Sequence, residues 1–124
     1  MNIFDKELAV ALDGMGFVNE GDDQPLQPMR WPTTAVCIDE ATVRAWSGEG
    51  DKPVLAIGNY EAFMEPRMQT GSQAERYQHL NALMTANLVG LTVFKFGEIQ
   101  VRIYVMGLDH QGQIVGWKTT AVQT

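Results

Sequence analysis

The feature that most constrains this chain is a change of hydrophobic period at Gly90. Before it, SQAERYQHLNALMTANLVG sets Leu80, Leu83, Met84 and Leu88 three or four residues apart. That spacing gathers apolar side chains on one face of a helix. After it, LTVFKF, IQVRIYVM and QIVGWKTTAV favour a period of two, which sends successive side chains to opposite faces of a strand. Ser72 and Glu75 have the spacing of a capping box, and Gly90 is the expected helix stop. Gly97-Glu98 suits a two-residue II′ connection, and LDHQG supplies a second turn. The expected product is a long helix followed by a three-stranded antiparallel meander. One face of its middle strand carries Ile99, Val101, Ile103 and Val105, and the other Gln100, Arg102, Tyr104 and Met106.

Upstream, Phe4, Leu8, Ala11, Leu12 and Met15 predict a first helix over 3–13, with Asn2 as cap and Gly14 as stop. FVNEGDDQPLQPMRWPTTA follows, with Gly21, acidic neighbours and the prolines Pro25, Pro28 and Pro32. It predicts a long acidic loop with a short edge strand around 27–31. Asp39 is positioned to cap a second helix ending near Ser47, with Val43 and Trp46 inward. PVLAI at 53–57 predicts a buried strand, and residues 60–64 a short helical turn broken by Pro66. Helices early and strands late mean an α+β domain over residues 1–124, with the helices packed on the sheet.

Length permits such a core: a chain of 124 residues buries roughly two-thirds of its unfolded surface without metal or disulfide. No apolar run approaches the ~20 residues of a membrane helix, so no membrane role is expected. Cys37 has no second cysteine to pair with, and its neighbours Val36 and Ile38 predict a packed, inert thiol. The first residues lack a basic segment followed by an apolar one, which points to a cytoplasmic location. All of the net charge of −6 is carried by residues 1–52, where ten acids face Lys6, Arg30, Arg44 and Lys52. A nucleic-acid binder ordinarily carries a basic stripe that neutralises phosphates, and none is visible; direct nucleic-acid binding is not expected.

The common catalytic signatures are missing: there is no P-loop, dinucleotide fingerprint, zinc helix motif or nucleophile elbow. His79 and His110 are read as solvated or core-edge residues, and Trp31, Trp46 and Trp117 as packing residues. Trp117, beside Lys118, has an exposed anchor as its alternative. Glu20, Asp22 and Asp23 crowd one loop without the ligand alternation or terminal bidentate Glu of an EF-hand. Their ordinary role is solvation, and their sharper one is an acidic surface offered to a basic partner. No cofactor or metal of the chain's own is expected.

The C-terminal third, VFKFGEIQVRIYVMGLDHQGQIVGWKTTAVQT, resembles the nuclease A inhibitor family. The matching segments are FGEIQVRIYVMG, QGQIVGWKTT and the final Thr124, with further collinear matches in DGMGFVNEGD, SGEGDKPVLAI and the long helix. The resemblance implies an α/β/α sandwich with a mainly antiparallel sheet. It also implies a non-enzyme, monomeric when free, that plugs the active site of a metal-dependent, sugar-non-specific nuclease. By position the family's contact residues become Glu20 and Thr124, Thr124 reaching the partner's Mg²⁺. Asp22 and Asp23 flank the first and Gln123 the second. Gln123 stands where the family pattern has an acid, and the segment 65–71 lacks the family's acidic-aromatic pair. Those departures motivate the alternative, an interaction module on the same scaffold with a non-nuclease partner.

Overall fold

Nonpolar side chains on both faces of the last two strands demand cover from both sides, and the architecture answers that demand. The computed structural model describes residues 3–17, 24–34, 38–50 and 52–122. In chain order the elements are α1 (Ile3–Leu12), β1 (Gly16–Phe17), β2 (Gln24–Pro25), β3 (Gln27–Thr34), α2 (Glu40–Ser47), β4 (Val54–Asn59), α3 (Tyr60–Gln69), α4 (Ala74–Asn87), β5 (Val89–Phe96), β6 (Gln100–Leu108) and β7 (Gln113–Val122). Five strands form one sheet in the order β3-β7-β6-β5-β4, every neighbouring pair antiparallel. Helices α1, α3 and α4 cover one face, where Leu8, Met64, Leu80 and Met84 meet Val101, Ile103, Val105 and Trp117. Helix α2 covers the other, where Val43 meets Phe94, Phe96, Tyr104 and Ile114. The α+β class and the expected α/β/α layering are both present, and the chain ends in the expected meander β5-β6-β7.

Local chemistry explains most boundaries. Gly14 turns the chain out of α1 at φ +75°. Asp39 caps α2, its Oδ1 accepting from the Thr42 N–H at 2.8 Å. The edge strand expected around 27–31 is β3, lying against β7. At the second turn, Asp109 Oδ1 accepts from the N–H groups of Gln111 and Gln113 at 2.9 and 3.0 Å.

Other expectations are corrected by tertiary contacts. Gly97-Glu98 is not a two-residue turn: β5–β6 pairing closes at Phe96 and Arg102, and residues 97–101 form a wider connection. Gly97 has φ +108° and gives its N–H to the Pro53 carbonyl at 2.9 Å, which draws it toward the β4 side. Helix α4 begins after Gln73 without a side-chain cap, so the Ser72–Glu75 capping box does not form; the Ala74 N–H instead closes a turn onto Gly71. Gly90 does not stop α4, because Leu88 is already extended. Gly90 lies inside β5 at φ +64°, where the register to β6 shifts. Pro66 does not break α3, which continues to Gln69 and buries Tyr60, Phe63 and Met64 on the core. Strand β4 is an edge strand rather than a buried one, with Ile57 exposed. Trp46 and Ile99 are exposed as well, while Trp117 is fully buried beside Phe63, ring centroids 6.1 Å apart.

One ion cluster ties the start of the chain to the far turn. Arg30 on β3 donates to both oxygens of Asp5 at 2.8 and 2.9 Å and to Asp109 Oδ2 at 2.6 Å. The hydrogen bonds that Arg30 donates to Asp5 outweigh partial burial and hold its guanidinium above its usual range. Burial pushes the Asp109 carboxyl up. Arg30 and the two backbone N–H groups overcome that and leave it below the ordinary value. A carboxyl lowered in the native state stabilises the fold above its unfolded pKa and stops doing so as pH falls through the native value. The Asp109 contribution should therefore be constant above about pH 5 and decline below about pH 4. Asp109→Ala should cost about 2 kcal/mol at neutral pH and flatten that acid limb, as read by urea denaturation across pH.

Candidate functional site

The six residues 18–23 hang from a short two-stranded stem. Gly16 pairs with Pro25 and Phe17 with Gln24. The stem is tied to two other parts of the fold, the start of α4 and strand β7. The Gly16 N–H donates to Gln73 Oε1 at 3.0 Å, and the Gly16 carbonyl accepts from the Tyr77 hydroxyl at 3.1 Å, so the start of α4 holds both backbone polar groups of one residue. The Leu26 N–H reaches the Met15 carbonyl, and Thr119 Oγ1 on β7 donates to the Pro25 carbonyl at 3.0 Å. Arg76 adds hydrogen bonds to the carbonyls of Ala11 and Asp13, just before the stem.

This anchorage brings the stem alongside the last part of β7. Gln27 pairs with Lys118, so residues 119–122 run past the start of β3 toward β2. Those last residues of β7 pair with Gln100 to Ile103 of β6, a rigid support that extends to Val122. The 97–99 turn and the Gly48–Lys52 segment belong to the same end of the sheet, joined through the Gly97–Pro53 hydrogen bond. The expected contact residues Glu20, Asp22, Asp23, Gln123 and Thr124 lie outside the described residues, as does Cys37.

Beside the stem, segment 65–71 is largely the last turns of α3. Arg67 lies over the Phe63 ring at 4.0 Å and donates to the Phe63 carbonyl at 2.5 Å, and Lys95 Nζ stands 5.5 Å from the same ring. Burial lowers the pKa of both cations, and the charge of Arg67 lowers Lys95 further. Positive charge thus replaces the acidic-aromatic pair that the resemblance led one to expect here. His79 and His110 are solvent-exposed. Among the described residues no three His, Cys, Asp or Glu side chains gather as a metal site, and no helix is long and apolar enough to cross a membrane.

Sequence reasoning overlooked Gln73 and Tyr77, the residues that hold the stem. Their only local signal was a polar and an aromatic residue at the start of the long helix, and their partner lies more than fifty residues away.

The fold and this end of it define an α/β/α domain in which a two-stranded stem is anchored next to the final described strand. Compared with known families, the chain belongs to the nuclease A inhibitor-like protein family, whose sequence model matches residues 2–124. No curated protein gives a significant match. If the stem depends on α4 as described, Gln73→Ala should cost about 1 kcal/mol and speed hydrogen exchange at the Gly16 amide while leaving α4 intact. Unchanged Gly16 exchange would show that Gln73 is not the anchor.

Proposed function

We propose that this chain is a non-catalytic inhibitor of a metal-dependent, non-specific nuclease, acting through the acidic residues Glu20, Asp22 and Asp23 and through Gln123 and Thr124. The observation that carries the proposal is membership of the inhibitor family over nearly the whole chain. Two further features support it. The stem beneath residues 18–23 is hydrogen-bonded to β7, so an acidic loop and the C-terminal end of the sheet have a common base. The net charge of −6 lies in the half of the chain that contains that loop.

The mechanism is substitution of carboxylate for phosphate. A nuclease groove is positively charged because it must hold a polyanion, so an acidic surface gains both faster encounter and direct competition. Glu20 supplies the charge that enters the groove, with Asp22 and Asp23 contributing to steering. Thr124 offers a hydroxyl oxygen, a hard donor of the kind that replaces an exchangeable water on Mg²⁺, and Gln123 contacts the rim. The described pairing of β7 with β6 extends to Val122, so the strand is fixed to the sheet before any association, which limits the entropic cost. Arg67 and Lys95 beside the stem favour a target whose rim there is acidic.

Adding the protein in stoichiometric amounts to cognate non-specific nucleases should suppress DNA cleavage; an unchanged rate across such enzymes would refute inhibition. Glu20→Ala should weaken the complex by about 2–5 kcal/mol, the range for truncating one partner of a buried charge pair. Deleting Thr124 should raise the inhibition constant without moving the thermal midpoint, since none of the contacts described for the core or for β7 involves it.

A further inference from the structure

Helix α2 covers only part of its face of the sheet. Past its C-terminus a cleft of about 470 Å³ opens between Ser47, Gly48, Glu49 and Lys52 on one side and strands β3, β6 and β7 on the other. Its floor is an ordered pair: the Tyr104 hydroxyl donates to Glu49 Oε2, and Lys52 Nζ donates to Glu49 Oε1 at 3.2 Å. Both carboxylate oxygens are engaged, and Glu49 is only 7% exposed. Burial, followed by the neighbouring carboxylate, raises the Tyr104 pKa, so this hydroxyl stays a donor.

Above that floor stand Arg102 and Lys118, both exposed. Tyr104 pairs with Lys118 and Arg102 with Thr120, which makes the two cations diagonal neighbours on one face of adjacent strands. Such positions are separated by roughly 7–8 Å. Like charges held this close on rigid strands repel. Among the described residues no carboxylate forms an ion pair with either, because Glu49 is committed to Lys52 and Tyr104. Arg102 Nη1 donates to Thr120 Oγ1 at 3.3 Å, which orients the guanidinium and leaves the threonine proton free to donate. The described side chains of the cleft thus place Lys52, Arg102 and Lys118 against Glu49 alone, a local excess of positive charge on a protein of net charge −6.

We propose that this cleft binds a small phosphate monoester, its phosphate bridging Arg102 and Lys118 and accepting from the Thr120 hydroxyl. A doubly charged tetrahedral anion matches the guanidinium fork and the ammonium at once and removes their mutual repulsion. The volume exceeds what a bare phosphate fills, leaving room for the esterified group against Gln27 and Ser47. The cleft lies at the same end of the sheet as the inhibitory surface, Gln24 and Pro25 of the stem lining it, but it uses none of the proposed inhibitory contact residues.

The test is an NMR titration of the full chain, first with inorganic phosphate and then with a nucleoside 5′-monophosphate, ionic strength held constant with sodium chloride. Saturable shifts should appear at the amides of Arg102 and residues 118–120, with the monoester tighter. Arg102→Gln and Lys118→Gln should each weaken binding about tenfold. Lys6→Gln, an exposed cation on α1, should leave binding unchanged. Linear shifts, equal weakening by Lys6→Gln, or binding of phosphate but not of the monoester would overturn the proposal. So would binding that appears only after Asp22→Asn and Asp23→Asn, since the chain's own carboxylates would then be the occupants.

Discussion

Strands β6 and β7 bury consecutive residues, Ile103 to Leu108 and Ile114 to Trp117, so alternate side chains of the same two strands enter different cores. A hairpin apolar on both faces cannot rest on one layer of helices. It requires α1, α3 and α4 on one side and α2 on the other, and it makes β6 and β7 interior strands flanked by β5 and β3. Packing at this centre is close enough to specify glycine: a Cβ on Gly116 would fall on the Val105 carbonyl, and one on Gly107 would meet the Leu88 and Leu91 side chains at 2.9 Å. The N-terminal residues join the sheet last in space although first in sequence, as β3 on the free edge of β7.

That arrangement determines what the loops can do. Because β3 pairs with β7, the segment just before β3 must pass the end of the last strand, and the Thr119–Pro25 hydrogen bond secures it there. The α4 start closes the same stem from the opposite side through Gln73 and Tyr77. An exposed binding loop gains affinity when its base is already ordered, since less freedom is lost on association.

The acidity of the first half is divided among several roles. Asp5 is bound by Arg30, Asp39 caps α2, Glu40 pairs with Arg44 at 2.9 Å, and Glu49 is buried beneath Tyr104. These carboxylates support the fold. The cations are segregated too: Arg67 and Lys95 lie around Phe63 on one face, and Arg102 and Lys118 stand on the other. A net charge by itself therefore described neither surface.

Periodicity alone determined the element types. Hydrophobic spacing is a local property that survives any tertiary arrangement, so α1, α2, α4, the edge strand at β3 and the final meander were all legible. So was the α+β class, and the collinear resemblance named the family that the whole-chain match bears out. What tertiary structure decided were the joints: Gly97 as part of a wide turn, Gly90 within a strand, Pro66 inside a helix, Ile57 and Trp46 left in solvent, and Gln73 serving a distant backbone amide. Gly97 and Gln73 depend on partners far along the chain, Pro53 and Gly16. Local propensity cannot anticipate such bonds, because the groups that satisfy them become neighbours only after the sheet has assembled.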